Sequence, residues 1–247
     1  MNIIGLMRVR NEELIILDSL DHLSAIVDGI IVLDDASNDS TPRLARRHPA
    51  VLDVIETRRW RYNRLEEETR HRQLLLEAAQ AYRPDWLFYA DCDERFEGDI
   101  REFLLSKEAE SIDGIRISLF DAYMTPDDCQ PYRGGPLFGF RVYFGRECRN
   151  ILMIWKNNDR VKFVGTDARE PVVSGNIITR FYCQHYGKAI SLAQWDETCD
   201  YYSIYFPEVY SKKWRSRKGK GIHSVSDFGT VLCTWDEVKR QPITIHP

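Results

Sequence analysis

The sequence holds no apolar run long enough to span a membrane, and no pattern of basic, apolar and small residues marks a leader: Met1-Asn2 runs straight into an apolar segment. A cytoplasmic protein with no transmembrane segment is the expectation. No C-x-x-C pair occurs among Cys92, Cys129, Cys148, Cys183, Cys199 and Cys233, which argues against a zinc ribbon or a disulfide framework and for reduced thiols. Internal repeats and low-complexity segments are also missing. Positive charge is in the minority, with 34 Lys and Arg against 38 Asp and Glu, so the net charge of -4 argues against a nucleic-acid partner. What remains is an ordinary globular composition in 247 residues, enough for one sizeable core and for a single domain over 1–247.

Charge is placed where strands end. Trp86-Leu87-Phe88-Tyr89-Ala90 follows the breaker Pro84-Asp85 and is predicted to be a short buried strand, and Asp91, Asp93 and Glu94 come directly after it. Carboxylates this close repel one another unless they lie at an exposed edge or around a cation such as Mg²⁺ or Mn²⁺. A second strand, Ile30–Leu33, ends in Asp34-Asp35-Ala36-Ser37-Asn38-Asp39-Ser40-Thr41-Pro42, in which Thr41-Pro42 has the chemistry of a helix start. The first, Ile3–Met7, leads through Arg8-Val9-Arg10-Asn11-Glu12-Glu13 to leucines at helical spacing, so Asn11 is expected to cap that helix. Val51–Ile55 is a further strand, and a helix is expected over 65–82. Right-handed crossovers would bring the carboxylates of the strand ends to one edge of a parallel sheet, where open α/β sheets bind ligands.

Asp91-Cys92-Asp93 on its strand resembles the Asp-x-Asp motif of GT-A fold glycosyltransferases, and the wider pattern is similar to their inverting family 2. Asp34 to Thr41 matches that family's Asp-Asp-x-Ser-x-Asp-x-Thr at every specified position, and Arg10-Asn11-Glu12 is similar to its Arg-Asn-Glu turn. The resemblance implies a nucleotide site with Asn11, Glu12, Asp34, Asp35, Arg72 and Asp91, where Asp35 accepts a hydrogen bond from the base and Gln73 stands in place of the family's asparagine. It implies that Asp93, with Asp91 and with His185 of His185-Tyr186-Gly187, holds a divalent metal, Mn²⁺ or Mg²⁺. Val164 to Pro171 resembles a Gly-x-x-His-Glu-x segment of which the glycine and the glutamate survive, with Arg169 in place of histidine, and the resemblance makes Glu170 the candidate base and Asp167 and Asp128 its competitors. The similarity covers residues 2–97 well and 98–190 thinly, and the Gln-x-x-Arg-Trp motif of processive synthases is missing, which implies a single addition.

The implied fold is α/β: a GT-A-type, Rossmann-like, mostly parallel sheet flanked by helices over 1–97, a smaller acceptor-side β region over 98–190 and a C-terminal helical extension over 191–247. Helix 98–106, strand 114–120, a loop over 121–136, paired strands at 138–144 and 151–155, strand 177–183 and a Ser191-capped helix to about 206 are expected in the second half. The basic, aromatic stretch 57–64 and the six basic residues between 212 and 221 stay open: the latter is a solvated tail, a lid over a diphosphate, or a weak peripheral anchor to an anionic membrane surface. The expected partners are a nucleotide-sugar donor and a carbohydrate, glycoprotein or glycolipid acceptor. The rival from another class is a noncatalytic nucleotide- or glycan-binding module on the same fold.

Overall fold

The computed structural model describes residues 1–58, 60 and 63–245, so Arg59, Arg61 and Tyr62 of the basic, aromatic stretch lie outside the described residues. The chain forms two compact units: Met1–Ile117 with Ile151–Phe181, and Ser118–Asn150 with Tyr182 onward. The grouping is interleaved rather than sequential, since 98–117 and 151–181 join the N-terminal half.

The first unit begins with β1 (Ile3–Val9), α1 (Ile16–Ser24), β2 (Gly29–Asp35), α2 (Thr41–Arg47), β3 (Val51–Thr57), α3 (Arg64–Ala79), β4 (Trp86–Tyr89), β5 (Glu94–Glu97) and α4 (Ile100–Leu104). Strands β6 (Gly114–Tyr123), β7 (Tyr143–Lys156) and β8 (Ile177–His185) have residues in both groups. The strand order is β3-β2-β1-β4-β7-β6-β8-β5, with β1 parallel to β2 and β4, β2 parallel to β3, and β7 antiparallel to β4. This is the expected α/β fold with a mostly parallel sheet. Continuous burial along β2 fits a parallel strand covered on both faces. The register pairs Val9 with Asp34, Asp35 with Thr57 and Leu6 with Tyr89, which puts the C-terminal ends of the four strands at one edge.

Helix α3 covers β1 and β2 and is divided along its length. Leu75, Leu76 and Ala79 pack on Ile4, Leu33 and Leu87 of the strands, while Arg64, Glu67, Glu68, His71 and Arg72 of the first turns are buried as well. It ends at Ala79 and passes through a 3-10 turn at Gln80–Tyr82, closed by Arg83 at φ 49°. Two helix starts differ from expectation: α1 begins at Ile16 with Ile15 at its N-cap and no side-chain cap, and Thr41 is the first residue of α2, after Ser40. Asn11 and Thr41 are engaged instead by the neighbouring loop.

In the second unit α5 (Leu192–Tyr205) starts at Ser191, whose hydroxyl accepts from Gln194 N, and α6 (Glu208–Arg217), β9 (Cys233–Thr234), α7 (Trp235–Arg240) and β10 (Ile243–Ile245) follow. β9 and β10 pair with the first half of β7. Of the paired strands expected at 138–144 and 151–155, residues 143–144 and 151–155 belong to a single strand, β7, while 138–142 are not in a strand, and residues 121–123 of the expected loop extend β6. Residues 212–217 lie on α6, where Trp214 stacks on Tyr202 with ring centroids 4.4 Å apart, so the basic cluster is not a loose tail. Among the described residues no helix is long and apolar enough to cross a membrane.

Because Leu87 is fully buried between α3 and its neighbouring strands, Leu87→Ala should cost about 2–5 kcal/mol of stability, read from the midpoint of a urea titration.

Candidate active site

Two loops at the strand edge are stitched together. After β1 the chain turns through Asn11 at φ 54°, and after β2 through Ala36 at φ 56°, a left-handed conformation that disfavours any side chain. Glu12 N donates to Thr41 Oγ1 at 2.7 Å, Glu13 N to Asp39 Oδ2 at 3.1 Å, Asn38 N to Asn11 Oδ1 at 2.9 Å and Asn11 N to Ser37 Oγ at 2.9 Å. Asp34 Oδ2 accepts from Ser37 N at 3.1 Å and so closes the second loop on itself. Burial lifts the Asp34 carboxyl above its ordinary range, and its Oδ1 is sealed without a hydrogen-bond partner among the described residues.

Asp35 is wholly buried and saturated. Its carboxylate accepts from Arg64 Nη2 at 2.5 Å, Arg8 Nη1 at 3.1 Å and Trp60 Nε1 at 2.9 Å, with His71 Nδ1 3.6 Å away. Burial by itself would raise its pKa, but Arg8, Arg64 and His71 outweigh that and hold the carboxyl below its usual range. The guanidiniums of Arg64 and Arg10 lie 4.2 and 4.9 Å from the Trp60 ring centre, within cation–π range. Both oxygens of Asp35, the residue expected to meet the base, are thus engaged by donors of the chain itself.

The Asp-x-Asp stretch forms a turn between β4 and β5. Tyr89 Oη donates to Asp91 Oδ1 at 3.0 Å, Asp91 N donates to Glu94 Oε2 at 2.9 Å, and burial with the Asp91 charge pushes the Tyr89 hydroxyl up to about 12. Glu12 faces this turn. Its desolvation, followed by the fields of Asp93, Asp39 and Asp91, raises its pKa well above normal, and its Oε2 is sealed from solvent with no hydrogen-bond partner among the described residues. Opposite charge comes from Arg169, whose Nη2 lies 3.2 Å from Glu94 Oε1 and 4.0 Å from Asp91 Oδ2. Among the described residues no group of three or more His, Cys, Asp or Glu could hold a metal ion. The donor set nonetheless fits a hard cation that arrives with its substrate, because Mg²⁺ is commonly held by one or two carboxylates together with phosphates and water.

Arg72 is buried: its Nη1 donates to Ala168 O at 3.4 Å, and its guanidinium lies 5.5 Å from the Tyr89 ring centre. Thr69 Oγ1 accepts from Asp167 N at 3.1 Å and Ala168 N at 2.8 Å, so α3 clamps the loop that carries Asp167 and Arg169. Asp167 is exposed and has φ 120°, the kind of backbone outlier that gathers at functional sites. Glu170 is tied down, its Oε1 accepting from Arg116 Nη1 at 2.6 Å and Leu152 N at 3.0 Å. Two expected residues fall in the second unit: Asp128, which pairs with Arg141 at 2.9 Å, and His185, whose Nδ1 meets Asp121 Oδ1 at 2.6 Å. Arg8, Trp60 and Arg64 lay outside the sequence-based candidate set. The signal available for them was the cost of burying Asp35 at a strand end, which demands cationic partners.

The chain belongs to glycosyl transferase family 2, whose model matches residues 6–141, more than half of the sequence. It is similar to two uncharacterized proteins, Mb3815c of Mycobacterium bovis and Rv3786c of Mycobacterium tuberculosis, at 34% identity over 168 residues, which is 62% of this chain. The match spans 40% of the length of each of these curated relatives. Among solved structures it resembles glucosyl-3-phosphoglycerate synthase from M. tuberculosis, determined with Mn²⁺, UDP and phosphoglyceric acid, at 22% identity and TM-score 0.33 over 49% of this chain and 43% of that one. HddC from Yersinia pseudotuberculosis is similar over 88% of this chain and all of its own, at 11% identity and TM-score 0.37.

The raised pKa of Glu12 has a defined sign. The folded state retains a proton that the unfolded state has lost, so stability falls as pH rises from the ordinary glutamate value through the raised one. Glu12→Gln should therefore raise the melting temperature of the ligand-free protein at pH 8 and leave it unchanged near pH 4, as followed by calorimetric unfolding.

Proposed function

We propose that the chain transfers a sugar from a nucleoside-diphosphate donor to an acceptor hydroxyl, and that the donor's diphosphate lies at the turn after β4. The observation that carries this reading is the like charge gathered around Glu12, with Asp91, Asp93 and Asp39 as its neighbours and Arg169 beside them. Such crowding is costly in the empty protein and is relieved by a cation and its phosphate ligand. Asp93 and Asp91 would hold Mg²⁺ or Mn²⁺, which when bound supplies electrostatic stabilisation of the charge that develops on the departing diphosphate. Arg169 offers guanidinium N–H groups to phosphate oxygens from the same edge. Asn11, Glu12 and Asp34 fix the two stitched loops that receive the nucleotide. Asp35 and Arg72 serve it from behind, Asp35 by locking Arg8 and Arg64, Arg72 by holding Ala168 O.

Inversion at the anomeric carbon needs one carboxylate to take the proton of the attacking acceptor hydroxyl. Asp167 suits this role better than Glu170, because it is exposed on the loop that carries Arg169 while Glu170 is engaged by Arg116 and Leu152 N. The acceptor hydroxyl would be that of a carbohydrate, glycoprotein or glycolipid. His185 lies in the second unit, where its Nδ1 meets the Asp121 carboxylate that Arg149 and Lys188 share.

Calorimetric titration with UDP, GDP and TDP, each with and without Mn²⁺, tests the donor site. One diphosphate should bind in a metal-dependent manner and lose at least about tenfold in affinity, roughly 1.4 kcal/mol, in Asp93→Asn. No binding of any of the three would sink the assignment. With the donor identified, Asp167→Asn should lower kcat by about 10²–10⁴-fold at unchanged melting temperature. Glu170→Gln should instead lower the melting temperature, because it weakens the anchor of Arg116 and Leu152 N. Nucleotide binding without turnover in the wild type would mark a binding module.

A further inference from the structure

The second unit has its own concentration of charge, of the opposite sign. Asp121 of β6 accepts from Arg149 Nη2 at 2.6 Å and meets His185 Nδ1 at 2.6 Å through one oxygen, while its other oxygen takes Lys188 Nζ at 3.0 Å. Lys188 Nζ also donates to Asp227 Oδ2 at 2.7 Å and to Tyr123 Oη at 3.3 Å, and Arg217 Nη2 reaches Asp227 Oδ2 at 2.9 Å. Lys213, one helical turn before Arg217 on α6, brings a further cation, and Arg217, Lys188 and Arg149 all act on it.

The charge count does not close. Arg149, Lys188, Lys213 and Arg217 carry four positive charges around the two carboxylates Asp121 and Asp227, before any proton on His185 is counted. Burial, and then the surplus cations, lowers the pKa of the Lys213 ammonium, although Asp227 pulls the other way. The lysine feels net positive surroundings. Lys188 is close to buried, with 9% of its side chain exposed, whereas Arg149 and Arg217 keep 24% and 22%, so the guanidiniums border solvent around an immobilised ammonium. Rigid cations converging from a strand, a loop and a helix are what planar, multidentate recognition of an oxyanion requires.

We propose that the second unit contains a binding site for a phosphate dianion, formed by Arg149, Lys213 and Arg217, with Lys188, whose three N–H groups are taken by Asp121, Asp227 and Tyr123, adding its charge from beneath. A dianion balances the surplus of two positive charges, which a monocarboxylate would not. A phosphate monoester of a small organic molecule and free inorganic phosphate present the same terminal oxyanion, and the titration below distinguishes them. The assignment uses residues of the second unit only and does not depend on the donor reading.

The test is calorimetric titration of the full chain, at pH 7.5 without divalent metal, with inorganic phosphate, with glucose 6-phosphate and with glucose. Both phosphates should bind and glucose should not. Tighter binding of glucose 6-phosphate identifies a monoester site, and equal binding a site for the free ion. Lys213→Gln, an exposed substitution, should weaken phosphate by about tenfold or more, and Arg149→Gln should do the same. In the absence of phosphate Lys213→Gln should melt at the wild-type temperature or above, because it removes repulsion, while the rise in melting temperature on adding phosphate should be lost. Absence of phosphate binding in the wild type, or affinity unchanged in both variants, overturns the proposal.

Discussion

The strand edge depends on one buried carboxylate. Asp35 sits with no solvent exposure where β2 ends, and a charge so placed costs several kcal/mol to desolvate unless its partners are close and well oriented. Three donors supply that compensation: Arg8 from β1, Arg64 from the first turn of α3 and Trp60 from the segment between β3 and α3. None of the three can move away without leaving the buried carboxylate short of a donor. The carboxylate thus fixes the spacing between two strand ends and the start of a helix, which is the frame on which the two loops are stitched. Arg8 passes this order onward, since its second Nη lies 3.3 Å from Glu68 and its field reaches Asp91.

Helix α3 shows how the fold accommodates a polar interior at one end only. Its last turns give Leu75, Leu76 and Ala79 to the core, in the ordinary manner of a helix covering a sheet. Its first turns pass over the strand edge, where the partners beneath are carboxylates and loop carbonyls, and there it presents Arg64, Glu68, Thr69 and Arg72. The polar half does more than satisfy buried charge. Thr69 and Arg72 grip the backbone at 167–168, so a loop nearly a hundred residues further along the sequence is set beside Asp91 and Glu94.

This division explains what the sequence disclosed. Apolar runs that end in carboxylates, Ile30–Leu33 before Asp34-Asp35 and Trp86–Ala90 before Asp91, mark parallel strands and their charged edge, because water-excluded strands and a charged rim obey opposite requirements. Buried residues that are themselves charged are invisible to such a pattern, and Arg64, Glu67, Glu68 and His71 of α3 are of that kind. The first half of β7 was hidden for the same reason: Arg146, Glu147, Arg149 and Asn150 look like loop, yet Glu147 accepts from Ser226 and Thr230 and Arg149 pairs with Asp121. The Lys- and Arg-rich sequence of α6 has no apolar stripe and is held by Trp214 on Tyr202. Arg169 illustrates the remaining gap, for its sequence neighbours say nothing of Glu94, its partner 75 residues away.

The two aspartates of the motif are not equivalent. Asp91 has one oxygen oriented by the Tyr89 hydroxyl and the other facing Arg169, and its backbone N–H is held by Glu94. It is the fixed member, already partly neutralised by donors of the chain. Asp93 stands one residue beyond the turn's buried Cys92 and heads the charges that raise the pKa of Glu12. Of the two, Asp93 is therefore the carboxylate whose charge bears most on Glu12. A substitution at Asp91 disturbs Tyr89, Glu94 and Arg169 together, whereas Asp93→Asn removes the strongest of the carboxylate fields at Glu12.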